Sequence, residues 1–197
     1  MRKLIMKMSV SIDGFVGGPN GEKDWVFRSS DEMSRAWSIE KTQEAGLIIM
    51  GRKSFESLSA YWPTATGPFA APMNEIPKAL FTQNGFKVIG PVSGTTAEQS
   101  RALASWKEAQ VFSGDMAEEI RTLKSGSGKL ILAIGGAGFM SSLIATGLID
   151  EYLLITHPVV LGKGQAIFSD VAKTLDLKLV DVKTFPEGII ARTYRPV

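Results

Sequence analysis

The chain has 197 residues, of which 44% are hydrophobic and 21% charged, and its formal net charge is +2. This composition is typical of a globular domain with a buried core, and so small a net charge gives no support for a nucleic-acid partner. The absence of cysteine excludes disulfides, thiolate metal sites and cysteine nucleophiles, and a single histidine excludes a site that needs two imidazoles, so we expect no metal.

The basic N-terminus leads directly into an apolar strand, predicted over residues 4–12. Lys7 interrupts the apolar run and Asp13 ends it, so we expect a first strand here rather than a signal peptide. No apolar run in the sequence approaches the roughly 20 residues that span a bilayer. We therefore expect a cytoplasmic protein with no membrane partner and no nucleic-acid partner.

A loop rich in glycine and other turn-forming residues follows this strand. Its sequence, FVGGPNGEKDW, predicts a mobile flap. The next pattern is helical, over residues 30–45, with Ser30 as the N-cap and Gly46 at the end. Met33, Trp37 and Ile39 are expected on the inner face of this helix.

Short apolar strands then alternate with helical patterns, and the chain finishes with an antiparallel pair. Strands are predicted over residues 47–50, 78–82, 109–113, 130–134 and 150–156, with a further short extension or edge at 87–89. Helices are predicted from residue 55 and over residues 97–105, 116–123 and 139–144, with a long loop over 59–76 and a turn-rich segment at 91–96. A hairpin is predicted from residues 177–185 and 189–194. This order indicates an α/β fold with a mostly parallel central sheet, an antiparallel C-terminal hairpin and flanking helices, in one domain over residues 1–197.

Two strand–turn–helix junctions are candidates for anion binding. The first runs from the strand at 47–50 into Gly51-Arg52-Lys53-Ser54, and the second from the strand at 130–134 into Gly135-Gly136-Ala137-Gly138. Such junctions present bare backbone N–H groups and a helix N-terminus to a ligand. The alternatives are glycines that only pack helix on strand, and cations that are simply solvated. Two junctions in one sheet favour phosphate.

Together with four other motifs, these junctions resemble the dihydrofolate reductase-like superfamily, and more closely its riboflavin biosynthesis reductase branch, the RibD C-terminal domain type. The matching segments are SIDG (residues 11–14), MGRKS (50–54), SGD (113–115), GGAGF (135–139), GLIDEY (147–152) and HPVVLGKG (157–164). They reach across nearly the whole chain. The resemblance implies an eight-stranded sheet and a bound NADPH.

When the family's residue roles are carried over to the matching positions, the resemblance implies that Arg52 contacts the 2′-phosphate of the adenosine. It also implies that Lys53 and Ser54 lie at the phosphates and that Thr82 lies near the adenosine. The other cofactor residues that it implies are Gly51, Gly135, Gly136, Ala137, Gly138, Phe139 and Met140 at the pyrophosphate side, and Val16 and Gly17 in the flap over the nicotinamide.

The acid that would serve the substrate is less clearly marked. Dihydrofolate reductases carry an acidic residue on their first helix after a loop tryptophan, which makes Asp31 a candidate here, whereas SIDG makes Asp13 the other. Asp24 ranks below both. The alternative for Asp31 is that an acid at the start of a helix only interacts favourably with the helix dipole. The alternative for Asp13 is that it only forms a turn.

Aromatic residues near the expected cleft are candidates for binding a flat ring. Trp25, Tyr61 and Trp62 are the substrate-binding candidates, and the alternative is that they pin their loops to the core. His157, next to a proline, is expected to be a hydrogen-bonded residue at a strand end rather than a catalyst.

The resulting hypothesis is an NADPH-dependent reductase that transfers hydride to a flat pterin- or pyrimidine-like heterocycle, acting as a homodimer. One alternative is the riboflavin-pathway reductase of a ribosylamino-pyrimidine phosphate. Another is a non-catalytic nucleotide-binding module of the same fold.

Overall fold

The computed structural model describes residues 1–87, 96–169 and 171–197. Within these residues, eight strands form a single sheet with helices on both faces. The strands are β1 (Leu4–Ser11), β2 (Ala45–Gly51), β3 (Lys78–Phe81), β4 (Gln110–Phe112), β5 (Leu130–Ala133), β6 (Glu151–His157), β7 (Leu177–Thr184) and β8 (Ile190–Pro196). The helices are α1 (Asp24–Arg28), α2 (Glu32–Gln43), α3 (Arg52–Tyr61), α4 (Ala70–Glu75), α5 (Ala97–Lys107), α6 (Met116–Ser125) and α7 (Ala137–Ala145), with a 3₁₀ turn at Trp62–Thr64.

The strand order is β4-β3-β2-β5-β1-β6-β8-β7. Strands β1 to β6 pair in parallel, and β8 runs antiparallel to both of its neighbours. This arrangement confirms the predicted α/β class, the C-terminal hairpin and the eight strands. The apolar runs of β2 and β5 suit their central positions, because strands covered on both faces need apolar residues throughout.

Strand β1 shows how the sheet divides the core into two layers. Leu4, Met6 and Met8 face one cluster, where α6 and α7 pack, whereas Ile5 faces the other, where α2, α3, α4 and α5 pack. The alternation follows from the two-residue period of a strand. Among the described residues, no helix is long and apolar enough to cross a membrane.

The boundaries of α2 differ from the prediction at both ends. Asp31, not Ser30, is the N-cap, and it forms a capping box with Ser34. The helix stops at Gln43, and Gly46 belongs to β2, because pairing of the backbone with β5 takes over there. Met33 is 59% exposed, so its predicted place on the inner face is wrong, whereas Trp37 is buried as expected.

The segments predicted as loops contain helices. The last two residues of the predicted flap, Asp24 and Trp25, begin α1, and the predicted loop at 59–76 contains the end of α3, the 3₁₀ turn and α4. Proline did not exclude helix here, because Pro63 lies in the first turn of the 3₁₀ segment, where its missing N–H costs nothing. The edge predicted at 87–89 and the turns at 91–96 fall mostly outside the described residues, although Thr96 caps α5.

A buried lysine joins β3 to α4 and α5. Lys78 is 2% exposed, and its Nζ donates to the Asn74 carbonyl and to Ser105 Oγ, both at 2.8 Å. The same Nζ lies 4.7 Å from the centroid of the Trp106 ring. Burial lowers the pKa of Lys78 from 10.5 to about 7.

The lowered pKa of Lys78 predicts that the free energy of unfolding increases with pH above neutrality. Between about pH 7 and 10.5 the unfolded chain binds more protons than the folded one at Lys78, so raising the pH favours folding by up to about 1.4 kcal/mol per pH unit. Lys78→Met should lower this slope in urea unfolding followed across that window, and part of the slope should remain because the pKa of Lys7 is also lowered to about 7. Lys107→Met, at an exposed position on α5, is the control and should keep the wild-type slope. An unchanged slope in Lys78→Met would contradict the shift.

Candidate functional site

A cleft of about 1150 Å³ lies beside the carboxyl ends of β2, β3 and β5. Strand β5 lies between β1 and β2 in the sheet. From this position the strand order runs through β2, β3 and β4 to one edge and through β1, β6, β8 and β7 to the other, so β5 marks the point where the strand order reverses. Ligands of open α/β sheets bind at such a switch point. The cofactor residues predicted from the sequence that line this cleft are Gly51, Arg52, Lys53, Ser54, Thr82, Gly135, Gly136, Ala137, Gly138 and Phe139.

The two glycine turns lie against each other. Gly135 has φ +113°, and a Cβ added there would lie 2.7 Å from Ser54 Oγ. A Cβ at Gly51 would lie 2.8 Å from Cβ of Phe139. The Gly136 N–H donates to Ser54 Oγ at 2.6 Å. The glycines therefore do pack one turn on the other, and this packing brings two helix N-termini to one cleft.

These two helices, like the short helices α1 and α4, begin without a side-chain cap. Helices α2, α5 and α6 are capped by the side chains of Asp31, Thr96 and Asp115. In contrast, α3 and α7 begin after Gly51 and Gly136 with no side-chain cap. The N–H groups of a first helical turn have no partner within the helix. At the cleft, these N–H groups have no capping side chain and are open to an anionic group.

The first turn of α3 also carries two cations and no acid. Cations at a helix N-terminus oppose the helix dipole, so Arg52 and Lys53 are unfavourable there unless an anion binds. Arg52 Nη1 lies 3.2 Å from a carboxylate oxygen of Glu56, and Glu56 also accepts the Lys87 N–H at 3.3 Å. The guanidinium is thus held at the rim of the cleft, with its side chain 37% exposed.

Three of the predicted cofactor residues lie outside the cleft lining. Met140 is fully buried in the core, and Val16 is 2% exposed. Val16 N–H donates to the Gln165 carbonyl, and the Gln165 N–H donates to the Gly17 carbonyl, both at 2.8 Å. The predicted flap is thus tied to Gln165 at its base, and its tip, at Asn20, borders the cleft.

A smaller recess of about 150 Å³ adjoins the cleft. Ile134 lines the recess, and the next residue, Gly135, lines the cleft. The full lining is Lys7, Ser9, Ser38, Thr42, Phe69, Met73, Ile134 and Ile155. The recess therefore combines apolar walls with an ammonium and three hydroxyl groups.

Lys7 is the charged group of this recess, and it was not among the site residues predicted from the sequence. Its Nζ donates to the Ser38 carbonyl at 2.8 Å and to Thr42 Oγ1 at 3.0 Å, and lies 5.8 Å from the centroid of the Phe69 ring. Burial lowers the pKa of Lys7 to about 7. A lysine inside an otherwise apolar central strand was the signal that could have identified it.

His157 lies behind the recess at the end of β6 and is 2% exposed. Its Nδ1 is 2.7 Å from Ser29 Oγ, its Nε2 is 3.0 Å from Ser9 Oγ, and Trp25 packs edge-on against the ring with centroids 5.3 Å apart. Burial lowers the pKa of His157 to about 4. The expectation of a hydrogen-bonded residue at a strand end is confirmed.

The acidic candidates lie outside both cavities. Asp31 accepts the Ser34 N–H at 2.6 Å and the Glu187 N–H at 3.3 Å, and these bonds, that of Ser34 first, lower its pKa. Asp13 is exposed, and Ser11 and the N–H groups of the 161–162 turn lower its pKa. Asp24 forms an exposed ion pair with Arg28. A lowered pKa leaves a carboxyl without a proton at neutral pH, so this geometry does not favour Asp31 or Asp13 as a proton donor.

The aromatic candidates also lie outside the cavity linings. Trp25 is buried and donates its indole N–H to the Glu22 carbonyl at 3.1 Å. Tyr61 is 60% exposed at the end of α3. Trp62 packs against Phe69, with ring centroids 6.1 Å apart, and so supports a wall of the recess from behind.

The sequence matches the RibD C-terminal domain family over residues 2–191. YyaP of Bacillus subtilis, an uncharacterized protein, is 31% identical over 194 residues, which are 98% of this chain and 94% of YyaP. RibD of Acinetobacter baumannii matches in structure with a TM-score of 0.70 at 19% identity, over 100% of this chain and 58% of its own. Dihydrofolate reductase of Enterococcus faecalis, complexed with NADP(H), matches with a TM-score of 0.59 at 12% identity, over 98% and 96%.

The two structural matches support the fold, which is the dihydrofolate reductase-like fold expected from the motifs. The family match spans nearly the whole chain. The chain therefore belongs to the RibD C-terminal domain family.

Proposed function

We propose that the protein is an NADPH-dependent reductase that transfers hydride to a flat pterin- or pyrimidine-like heterocycle. The observation that carries the proposal is the pair of helix N-termini, α3 and α7, which begin at glycines without side-chain caps and face one cleft. That pairing suits the two ends of a dinucleotide phosphate chain. Membership of a reductase family supports the same reaction class.

The residues that line the cleft fit NADPH. The first-turn N–H groups of α7, at Ala137 and Gly138, would hold the pyrophosphate, and Arg52 would hold the 2′-phosphate, for which a guanidinium fork is well suited. Lys53 adds positive charge, and Thr82 borders the adenosine end. When bound, NADPH supplies the hydride.

The recess beside the cleft is our proposed substrate pocket. Its volume of about 150 Å³ is that of a cavity that admits one benzene ring. Phe69, Met73 and Ile155 give it apolar walls suited to a flat ring. The recess meets the cleft at Ile134. A substrate ring in the recess would therefore lie beside a cofactor ring at the end of β5.

We propose Lys7 as the proton donor. Two of its three N–H groups are used by α2, which leaves one for a ligand. Its pKa of about 7 is close to neutral pH, where a general acid is most effective. Asp31 and Asp13 remain predictions from the sequence that the geometry does not favour.

Family membership also favours a second candidate, the reduction of a ribosylamino-pyrimidine phosphate in riboflavin synthesis. Oxidation of NADPH in the presence of 7,8-dihydrofolate or of 5-amino-6-(5-phosphoribosylamino)uracil distinguishes the two. Binding of NADPH without turnover of either compound would instead favour the non-catalytic module.

Replacement of Arg52 tests the cofactor assignment. Arg52→Ala should weaken NADPH binding by about 10- to 100-fold, the loss expected for a charged hydrogen-bonded pair, and should leave NADH binding nearly unchanged. Tryptophan fluorescence measures both, since the chain has four tryptophans. Arg121→Ala, on the exposed side of α6, serves as the control. Equal losses for NADPH and NADH would refute the 2′-phosphate assignment.

Replacement of Lys7 tests the proton donor. With a pKa of about 7, Lys7 loses its proton as the pH rises, so wild-type turnover of the active compound should fall above neutrality. Lys7→Met should lower single-turnover NADPH oxidation by roughly 10²- to 10⁴-fold, and Lys7→Arg should lose the decline with pH. Lys129→Met, an exposed lysine, should match the wild type. An unaltered pH profile in Lys7→Arg would exclude Lys7 as the donor.

We also propose a homodimer formed through β7. This strand is at the edge of the sheet, and Leu179 and Val182 are 47% and 48% exposed. A register shift between Leu179 and Asp181 puts these two apolar side chains on one face. An exposed apolar edge strand is a ready site for pairing with a second copy.

Light scattering of charged variants tests the dimer. Leu179→Lys combined with Val182→Lys should halve the molecular mass in solution. Val111→Lys, at a 48% exposed valine on the opposite edge strand, β4, should leave the mass unchanged. Loss of the dimer in Val111→Lys alone would assign the contact to the other edge.

A further inference from the structure

A chain of three side chains connects α1 to the substrate recess. Ser29 Oγ is 2.7 Å from His157 Nδ1, and His157 Nε2 is 3.0 Å from Ser9 Oγ. Ser9 is one of the residues that line the recess. The polarity of this chain can be derived by counting protons.

Ser29 fixes the first bond. Its hydroxyl lies 2.9 Å from the Trp25 carbonyl, which has no proton to give, so Ser29 must donate its single proton there. The remaining contact of Ser29, with His157, can then be a hydrogen bond only if His157 Nδ1 donates. Packing against Trp25 holds the ring in this orientation.

The ring fixes the second bond. A neutral imidazole that carries its proton on Nδ1 is an acceptor at Nε2, and the lowered pKa of His157 keeps the ring neutral at neutral pH. The Ser9 hydroxyl therefore donates to His157 Nε2. Toward the recess, the Ser9 hydroxyl can then only accept a hydrogen bond, through the lone pairs of its oxygen.

We infer that the Ser29–His157–Ser9 chain makes Ser9 a hydrogen-bond acceptor in the recess, which selects a heterocycle that presents a ring N–H at this point. This inference rests on the proposed function, because it concerns the substrate pocket of that reaction. His157 is a positioning residue here, since it acts through Ser9.

Lys7 supplies the complementary donor on the same strand face. It lies two residues from Ser9 on β1, and its spare N–H suits a ring carbonyl oxygen. An N–H and a carbonyl on one ring are the lactam edge of a pyrimidinone or pteridinone. A fully alkylated ring lacks the N–H and would leave the Ser9 lone pairs unpaired, which is how a polar pocket rejects an analogue.

The first test reads the tautomer of His157 directly. Because His157 is the single histidine of the chain, ¹⁵N-histidine labelling gives one ring spectrum. At neutral pH we expect a neutral ring with its proton on Nδ1. A proton on Nε2, or a doubly protonated ring, would overturn the inference.

Two adjacent serines provide matched variants for this test. Ser29→Ala removes the acceptor of the Nδ1 proton and should lower the population of the Nδ1–H tautomer. Ser30→Ala removes a hydroxyl that donates only to the Val26 carbonyl, at 2.6 Å, and should leave the spectrum unchanged. An identical spectrum for Ser29→Ala and the wild type would overturn the role of Ser29.

The second test uses lumazine and 1,3-dimethyllumazine, in which methyl groups replace the two N–H groups of the pyrimidine ring, with the protein saturated with NADP⁺. Wild type should bind lumazine at least about 10-fold more tightly, the discrimination expected when a polar group is left unpaired. Ser9→Ala should reduce this preference through weaker lumazine binding. Equal affinities in the wild type, or an unchanged lumazine affinity in Ser9→Ala, would overturn the inference.

The two proposals fail separately. Loss of NADPH binding by the wild-type protein would count against the proposed function, whereas the tautomer of His157 can be read with or without a cofactor. If NADPH binds and is oxidised but the wild type does not distinguish the two lumazines, only the assignment of Ser9 fails.

Discussion

The contact between the β2–α3 turn and the β5–α7 turn is the constraint on which the rest of the site depends. With Gly51 set against Phe139 and Gly135 against Ser54, neither turn has room for a side chain at its glycine. The insertion of β5 beside β2 imposes this approach, because neighbouring strands in the sheet are held at a fixed spacing. One packing requirement therefore brings two helix N-termini to the same cleft. The glycines pack one turn on the other and also leave both helix N-termini open to the cleft, so packing and anion binding do not exclude one another as explanations.

The site concentrates groups that cost stability when no ligand is present. Helices α3 and α7 lack the capping side chains of α2, α5 and α6, and an N-cap typically contributes about 1 kcal/mol. Arg52 and Lys53 oppose the dipole of their helix, and Lys7 is held in a partly apolar recess that lowers its pKa. Such departures from local stability rules are expected where a protein binds its ligand. The cleft and its adjoining recess bring several of them together, namely the uncapped N-termini of α3 and α7 and the ammonium of Lys7, and this concentration supports a dinucleotide and a neighbouring ring.

Much of the fold was predictable because its signals are local. Apolar runs bounded by glycine marked β2 and β5, and the spacing of MGRKS and GGAGF located both turns. What could not be predicted depends on contacts between distant segments. Pairing with β5 drew Gly46 into a strand, and the capping box moved the start of α2 to Asp31. The same box engages the carboxylate that had the strongest claim to catalysis by its position in the sequence. Lys7 was not predicted as a site residue, because the sequence alone does not show which face of a strand lines a cavity.

The alternation of β1 then explains how one strand serves both the core and the recess. Met6 and Met8 point to the core that contains α6 and α7, while Lys7 and Ser9 point to the recess beneath α2 and α4. Pairing with β6 aligns Ser9 with Ile155 and Ser11 with His157, so the imidazole comes from the neighbouring strand two residues farther along. A slip of one residue would send the lysine into the apolar core and a methionine into the recess. The methionines that fill the core thus also fix the register that presents Lys7 and Ser9.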